Sequence, residues 1–127
     1  MNTKLKIALA VAAGAAFGAA AMHGLHAQAK PKAYSVTEIE VLDTAALANY
    51  VPLVTETIKA AGGRNFNTGG GRITAVTGEP PKRVALIEWD SLEQVQAYAD
   101  SAAWKNLAPQ RDKAQKIIRT YVVEATK

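Results

Sequence analysis

The sequence predicts an α+β domain, with one antiparallel sheet and helices packed on a single face. Three observations carry this. Several strand-length stretches alternate between two unlike sets of side chains. Two stretches between and after them repeat their apolar residues at helical spacing instead. The two kinds of stretch follow one another as β-α-β-β-α-β, which favours one sheet over a bundle or a barrel of strands alone.

The first strand is "AYSVTEIEV", Ala33 to Val41, with Thr37, Ile39 and Val41 on one face and Val36, Glu38 and Glu40 on the other. Asp43 or Thr44 then caps a helix running to about Ala61, through the apolar stripe Leu47, Tyr50, Val51, Val54, Ile58 and Ala61. Pro52 lies inside that stripe and should kink the helix or split off its first two turns. Gly62 or Gly63 supplies a left-handed C-terminal cap.

The next stretch, "GGRNFNTGGGRITAVT", is rich in glycine and carries Arg64 and Arg72. A phosphate loop needs its glycines at a strand end with a helix following. Here the P-loop pattern is absent, position 74 of the incomplete G-x-G-x-x-G is Thr, and "RITAVT" follows as a β-like run. We therefore read Arg64 to Thr68 and Arg72 to Thr77 as one strand, interrupted by a bulge at Gly69-Gly70-Gly71. After the turn "GEPPK" comes the most apolar strand, Arg83 to Asp90, expected at the sheet centre. Its Ala85, Ile87 and Trp89 oppose Val84, Leu86 and Glu88. Ser91 caps a second helix with Leu92, Val95, Tyr98 and Ala99 inward. A broken helical segment follows, with Pro109 opening a new turn and Trp104, Leu107 and Arg111 inward; Ile117 to Ala125 is the last strand.

The order is that of the ferredoxin-like fold. Trp89, Ile87, Ile39 and Val41 should lie under the helices, leaving Val36, Val84 and Leu86 with Glu38, Glu40 and Glu88 on an open face. That face is too apolar to stay wet, so a homodimer closed sheet against sheet is expected.

Residues 1–29 read as an export signal. Lys4 and Lys6 precede an apolar run from Ile7 to Met22, and Ala27 and Ala29 stand at the −3 and −1 positions of an A-x-A site. The run is shorter than the roughly 20 residues a spanning helix needs, so cleavage after Ala29, or secondarily after Ala27, is read in preference to an anchor. The expected mature domain is residues 30–127, periplasmic or secreted. Its net charge falls from +4 for the full chain to 13 basic against 11 acidic side chains, which argues against nucleic-acid binding. The chain has no cysteine, and both histidines and both methionines fall in the signal. A Ser-His-Asp or Cys-His site, haem ligation by His, Cys or Met, and the usual zinc and copper sites are thereby excluded from the mature domain. Asp, Glu, Lys and Tyr remain for proton chemistry, with Arg as an anion clamp; no cofactor and no metal is expected.

Asp43, Tyr50, Gly62-Gly63-Arg64, Gly69-Gly70, Ile87-Glu88-Trp89, Tyr98, Trp104, Leu107 and Arg111 stand in an order that resembles domain-of-unknown-function family 1330 (DUF1330), of the dimeric α/β-barrel superfamily. The resemblance spans Ala33 to Glu124. The family usually carries Phe where Trp89 stands and Glu-Tyr where Ala103-Trp104 stands, so a carboxylate is missing at Ala103. The resemblance implies fold and dimerisation. The superfamily includes cofactor-free monooxygenases of polycyclic aromatics, muconolactone-type isomerases and haem-dependent enzymes, and the missing histidine argues against the last.

Five residues are candidates for a site. Glu88, mid-strand among apolar neighbours, would act as a base if desolvation raised its pKa; paired with an arginine at a dimer interface it would be structural. Tyr98 is a second candidate base, and with Trp104 could wall an aromatic pocket or simply fill the core. Arg64 and Arg111 are candidate clamps for an anionic or aromatic ligand, although Arg64 could instead tie the helix end to Asp43 or Glu88. Two functions follow: a cofactor-free isomerase or monooxygenase, or a non-catalytic periplasmic binding or accessory protein. Mass spectrometry of the exported chain should find a start at Lys30, and a start at Met1 would reject the cleavage.

Overall fold

The computed structural model describes residues 29–126; the expected export signal lies outside them except for its last residue. Residues from Pro31 onward form one compact unit. Its elements are β1 (Ala33–Val41), α1 (Thr44–Ala60), β2 (Arg64–Asn65), β3 (Val84–Trp89), α2 (Leu92–Asp100), α3 (Ala102–Lys105), α4 (Ala108–Ala114) and β4 (Gln115–Glu124). The four strands form one sheet in the order β2-β3-β1-β4, with every pairing antiparallel. This is the expected ferredoxin-like α+β architecture, with β3 and β1 at the centre.

Capping chemistry sets the helix limits. Asp43 accepts from the Ala46 N–H at 2.9 Å and Ser91 from the Gln94 N–H at 3.2 Å. Gln94 reaches back to the Asp90 N–H at 2.9 Å, one residue before the capping-box position. At the far end of α1, Gly62 has φ +90 and the Gly63 N–H returns to the Ile58 carbonyl at 2.9 Å, which closes the helix as a Schellman motif. Helix α1 is continuous through Pro52, so the expected split into two pieces does not occur. Ala48, whose carbonyl loses its donor, is exposed, as is Pro52, and water can satisfy the group.

The second departure is at the glycine-rich run. Only Arg64–Asn65 is strand, and Arg72–Thr77 is not. Side chains replace the ladder here. Asn65 Oδ1 accepts from the Asn67 N–H at 2.9 Å, and Asn67 turns to φ 56. Thr68 then donates its hydroxyl to the Val84 carbonyl at 2.9 Å, taking the acceptor a longer β2 would have used. Gly70, at φ +91, completes the departure from the sheet.

Register divides the sheet into two surfaces. On the helix side, Trp89 stands opposite Ala33, Ile87 opposite Ser35, and Ala85 opposite Thr37. Trp89, Ile87, Ala33, Ile58 and Tyr98 form the main core, and Leu47, Tyr50 and Ala114 a second one. Ile39 joins the buried set as expected, but Val41, at the strand end, is 37% exposed. On the other side, Leu86, Val36 and Tyr121 make one row across β3, β1 and β4. Glu88, Tyr34 and Val123 flank it on one side, and Val84, Glu38 and Arg119 on the other. Among the described residues, no helix packs on these rows in the way α1 and α2 cover the core side, and Phe66, Tyr121 and Val123 are about half exposed.

A bulge after Glu38 shifts the pairing so that Ile39 meets Ile117 and Ile118 is left over. The extra residue turns Ile117 to the helix side beside Ile39, and Ile118 remains 46% exposed.

Candidate functional site

Between the sheet and its helices lies a cavity of about 440 Å³, a size suited to a small organic molecule. It exists because the central strand is thin on this side. Ser35 and Thr37 of β1 and Ala85 of β3 line its floor, where larger side chains would have filled the layer. Val54 and Ile58 of α1 and Val95 of α2 line it from above. Ser35 is 6% exposed and accepts from the Trp89 indole N–H at 3.0 Å, so neither polar atom is stranded. The hydroxyls of Thr37 and Thr120 lie 3.2 Å apart across β1 and β4.

One end of the cavity is aromatic. Trp89, Tyr98 and Trp104 follow one another with ring centroids 5.2 and 5.7 Å apart, in tilted arrangements. The rings of Tyr98 and Trp104 pack in the core and also line the cavity. The Tyr98 hydroxyl lies 2.8 Å from that of Thr57, and burial raises its pKa above the ordinary phenol value. At neutral pH it is a hydrogen-bonding group and not a ready base. Tyr50, 2% exposed, also lines the cavity, and burial pushes its pKa up to about 12 against the opposing effect of Arg111.

Arg111 serves as a brace. Its guanidinium lies 3.9 Å above the Trp104 ring centroid and donates to the Trp104 carbonyl at 3.0 Å. Its positive charge also lowers the Tyr50 pKa against the effect of burial, and it is not among the residues lining the cavity.

Glu88 and Arg64 lie elsewhere. Glu88 belongs to the open face, in the row with Tyr34 and Val123. Its carboxylate accepts from Lys32 Nζ at 2.9 Å and from Arg64 Nε at 2.7 Å. The expected rise of its pKa is therefore reversed: the hydrogen bonds from Lys32 and then Arg64 hold it down at about 2. Two cations overcome the modest desolvation of a side chain still 19% exposed. Arg64 also donates to Asp90 at 2.8 Å, so it ties β2 to β3 and makes no contact with Asp43. Asp43 is a helix cap, as read.

The cationic residue that does line the cavity is Arg83, just before β3. Sequence reasoning took it only as the start of a strand. The signal was present, because the alternation that puts Ala85, Ile87 and Trp89 on the helix side puts Arg83 there too. Among the described residues, no group of three or more His, Cys, Asp or Glu is placed to hold a metal ion.

The family model "Domain of unknown function (DUF1330)" matches residues 32–126. The chain belongs to this family. No curated protein matches it by sequence. Among solved structures, the fold is similar to that of the methylated RPA0582 protein, at 14% identity and TM-score 0.59 over 84% of this chain and 90% of that one. RPA0582 of Rhodopseudomonas palustris, a protein of unknown function, matches at 13% identity and TM-score 0.56 over 83% and 89% of the two chains. At such identities the likeness is one of fold.

The Glu88 arrangement makes a pH prediction. A carboxylate held below its ordinary pKa contributes stability that is present above the unfolded value, 4.5, and is lost as pH falls toward about 2. Urea midpoints of wild type and Glu88→Gln should differ at pH 6 and converge near pH 2; a difference that stays constant would refute the assignment.

Proposed function

We propose that the protein binds a small, largely apolar, ring-bearing molecule in the cavity between helices and sheet, and that it does so as an exported homodimer. The observation that carries the binding reading is the lining itself. Aromatic rings and aliphatic side chains form most of it, Ser35 and Thr37 provide hydroxyls, and among the described residues no Asp, Glu, Lys or His lines it. Such a wall excludes water and orients a ligand. It offers no carboxylate or imidazole to move a proton.

The enzymatic alternative, a cofactor-free isomerase or monooxygenase, narrows to one group on this geometry. Tyr98 lines the cavity as a neutral phenol, but since Thr57 donates to the Val54 carbonyl, the Tyr98 hydroxyl donates to Thr57 and would have to exchange that partner to serve a developing oxyanion. Glu88 has no part in that reaction, being paired on the opposite face of the sheet.

The dimer reading rests on the open face. Its apolar rows carry half-exposed Tyr121 and Val123, with Phe66 stacked on Tyr34 at a ring separation of 6.4 Å. Ion pairs stand in both flanking rows, Glu88 with Lys32 and Arg64, and Glu38 with Arg119. An apolar centre with a charged rim is the usual anatomy of a surface between copies. Export rests on the charged, apolar and small-residue pattern of residues 1–29.

Quenching of Trp89 and Trp104 fluorescence by 1-naphthamide, a neutral two-ring probe, tests the cavity. Ala85→Leu and Thr37→Leu fill its floor and should weaken binding by at least about ten-fold while circular dichroism is unchanged; binding unaffected by both would overturn the reading. Turnover of phenolic or lactone substrates that is abolished in Tyr98→Phe would favour the enzyme instead. Light scattering should give the mass of a dimer, and Leu86→Glu in the central apolar row that of a monomer; a monomeric wild type would refute the dimer.

A further inference from the structure

The three arginines singled out above differ in what their guanidinium groups already hold. Arg64 is bound by Glu88 and Asp90. Arg111 is engaged by Trp104 and Tyr50. Arg83 is different: among the described residues its guanidinium has no ion pair and no hydrogen bond, though it is only partly exposed and lines the cavity. It is also the one charged side chain in the lining.

The chain around it is arranged for close approach. The guanidinium lies against Gly69 and Gly70, and a Cβ at Gly69 would stand 3.1 Å from Arg83 Nη2. At Gly70 a Cβ would come within 3.5 Å of Nη1, and its φ of +91 disfavours any side chain. The glycines thus leave the fork bare where another residue would cover or displace it. Asn65 and Asn67 line the same cavity. Because the Asn65 carbonyl oxygen is taken by the Asn67 N–H, its amide N–H₂ is left as a donor.

Resting on the binding reading above, we infer that Arg83, with Asn65 and Asn67, forms an anion subsite, and that the ligand is an aromatic monocarboxylate. The carboxylate meets the Arg83 fork and the asparagine amide, and the ring extends toward Trp89, Tyr98 and Trp104. The planar guanidinium matches a carboxylate through two parallel hydrogen bonds. One positive charge in an otherwise uncharged lining suits one negative charge. Arg83 precedes β3, and Ala85 and Ile87 follow it on the same face before Trp89, so the polar end opens onto an apolar floor that leads toward the rings.

A matched pair of probes tests this. 1-Naphthoate and 1-naphthamide share a ring and differ in charge. Wild type should bind the carboxylate at least about ten-fold more tightly, the worth of a charged hydrogen bond. In Arg83→Gln that margin should vanish, because carboxylate binding falls much further than amide binding, and Arg83→Lys, which keeps charge but loses the fork, should fall between. Equal binding of both probes by wild type, or a margin that survives in Arg83→Gln, overturns the subsite and leaves the cavity reading intact. Failure of both probes to bind overturns the two together. Should Arg83→Gln not fold, the wild-type margin still decides: it should shrink as salt rises, and a salt-independent margin counts against the guanidinium.

Discussion

The hydrogen bond from the Trp89 indole to Ser35 is the constraint around which the domain is arranged. A large ring at the end of a central strand can lie flat against the sheet only if its neighbours on the next strand are small. Here they are Ala33 and Ser35, both buried. The ring takes the volume above them, Tyr98 packs on the ring and Trp104 on Tyr98. The same thinness continues to Thr37 and Ala85, but nothing of comparable size lies over them, and the cavity is the result. Core and cavity are two ends of one strip of small side chains.

Charge is distributed by face. The open face and its margins hold the carboxylates Glu38 and Glu88 with Arg119, Arg64 and Lys32 as partners. The helix side has two guanidinium groups in different states, one used as a brace behind Trp104 and one facing the cavity. A base on the cavity side would have needed a carboxylate on the odd-numbered positions of β1 or β3, and none is there. Among the described residues lining the cavity, the hydroxyl groups are those of Ser35, Thr37, Thr55, Thr120, Tyr50 and Tyr98.

Most of the architecture was legible in the sequence. Alternation in Ala33–Val41 and Val84–Trp89 gave the two faces, and the spacing from Leu47 to Ile58 gave the long helix. Strand patterning failed at "RITAVT", because it records what could be buried and not whether a partner strand is within reach. At the site, Tyr98 and Trp104 were read either as core or as walls of an aromatic pocket, and their rings lie where the core meets the cavity. For Glu88 the pairing with an arginine was one of two readings and Arg64 supplies it, but the second cation, Lys32, lies 56 positions away in sequence and no local pattern announces that contact. The cavity was invisible for a related reason. A void follows from what small residues on different strands jointly fail to fill, and the sequence shows them only one at a time.

Gly63 holds a further lesson. A side chain there would stand 2.6 Å from Ile58, 3.0 Å from Trp89 and 3.1 Å from Ile87, so the chain crosses the core at contact distance immediately after the helix. The linkage from α1 into β2 is thereby as fixed in length as it is in shape. Insertions and deletions among natural relatives should spare this crossing and the Thr68–Gly70 contacts that follow, and accumulate beyond Gly71, where the chain has left both the sheet and the cavity lining.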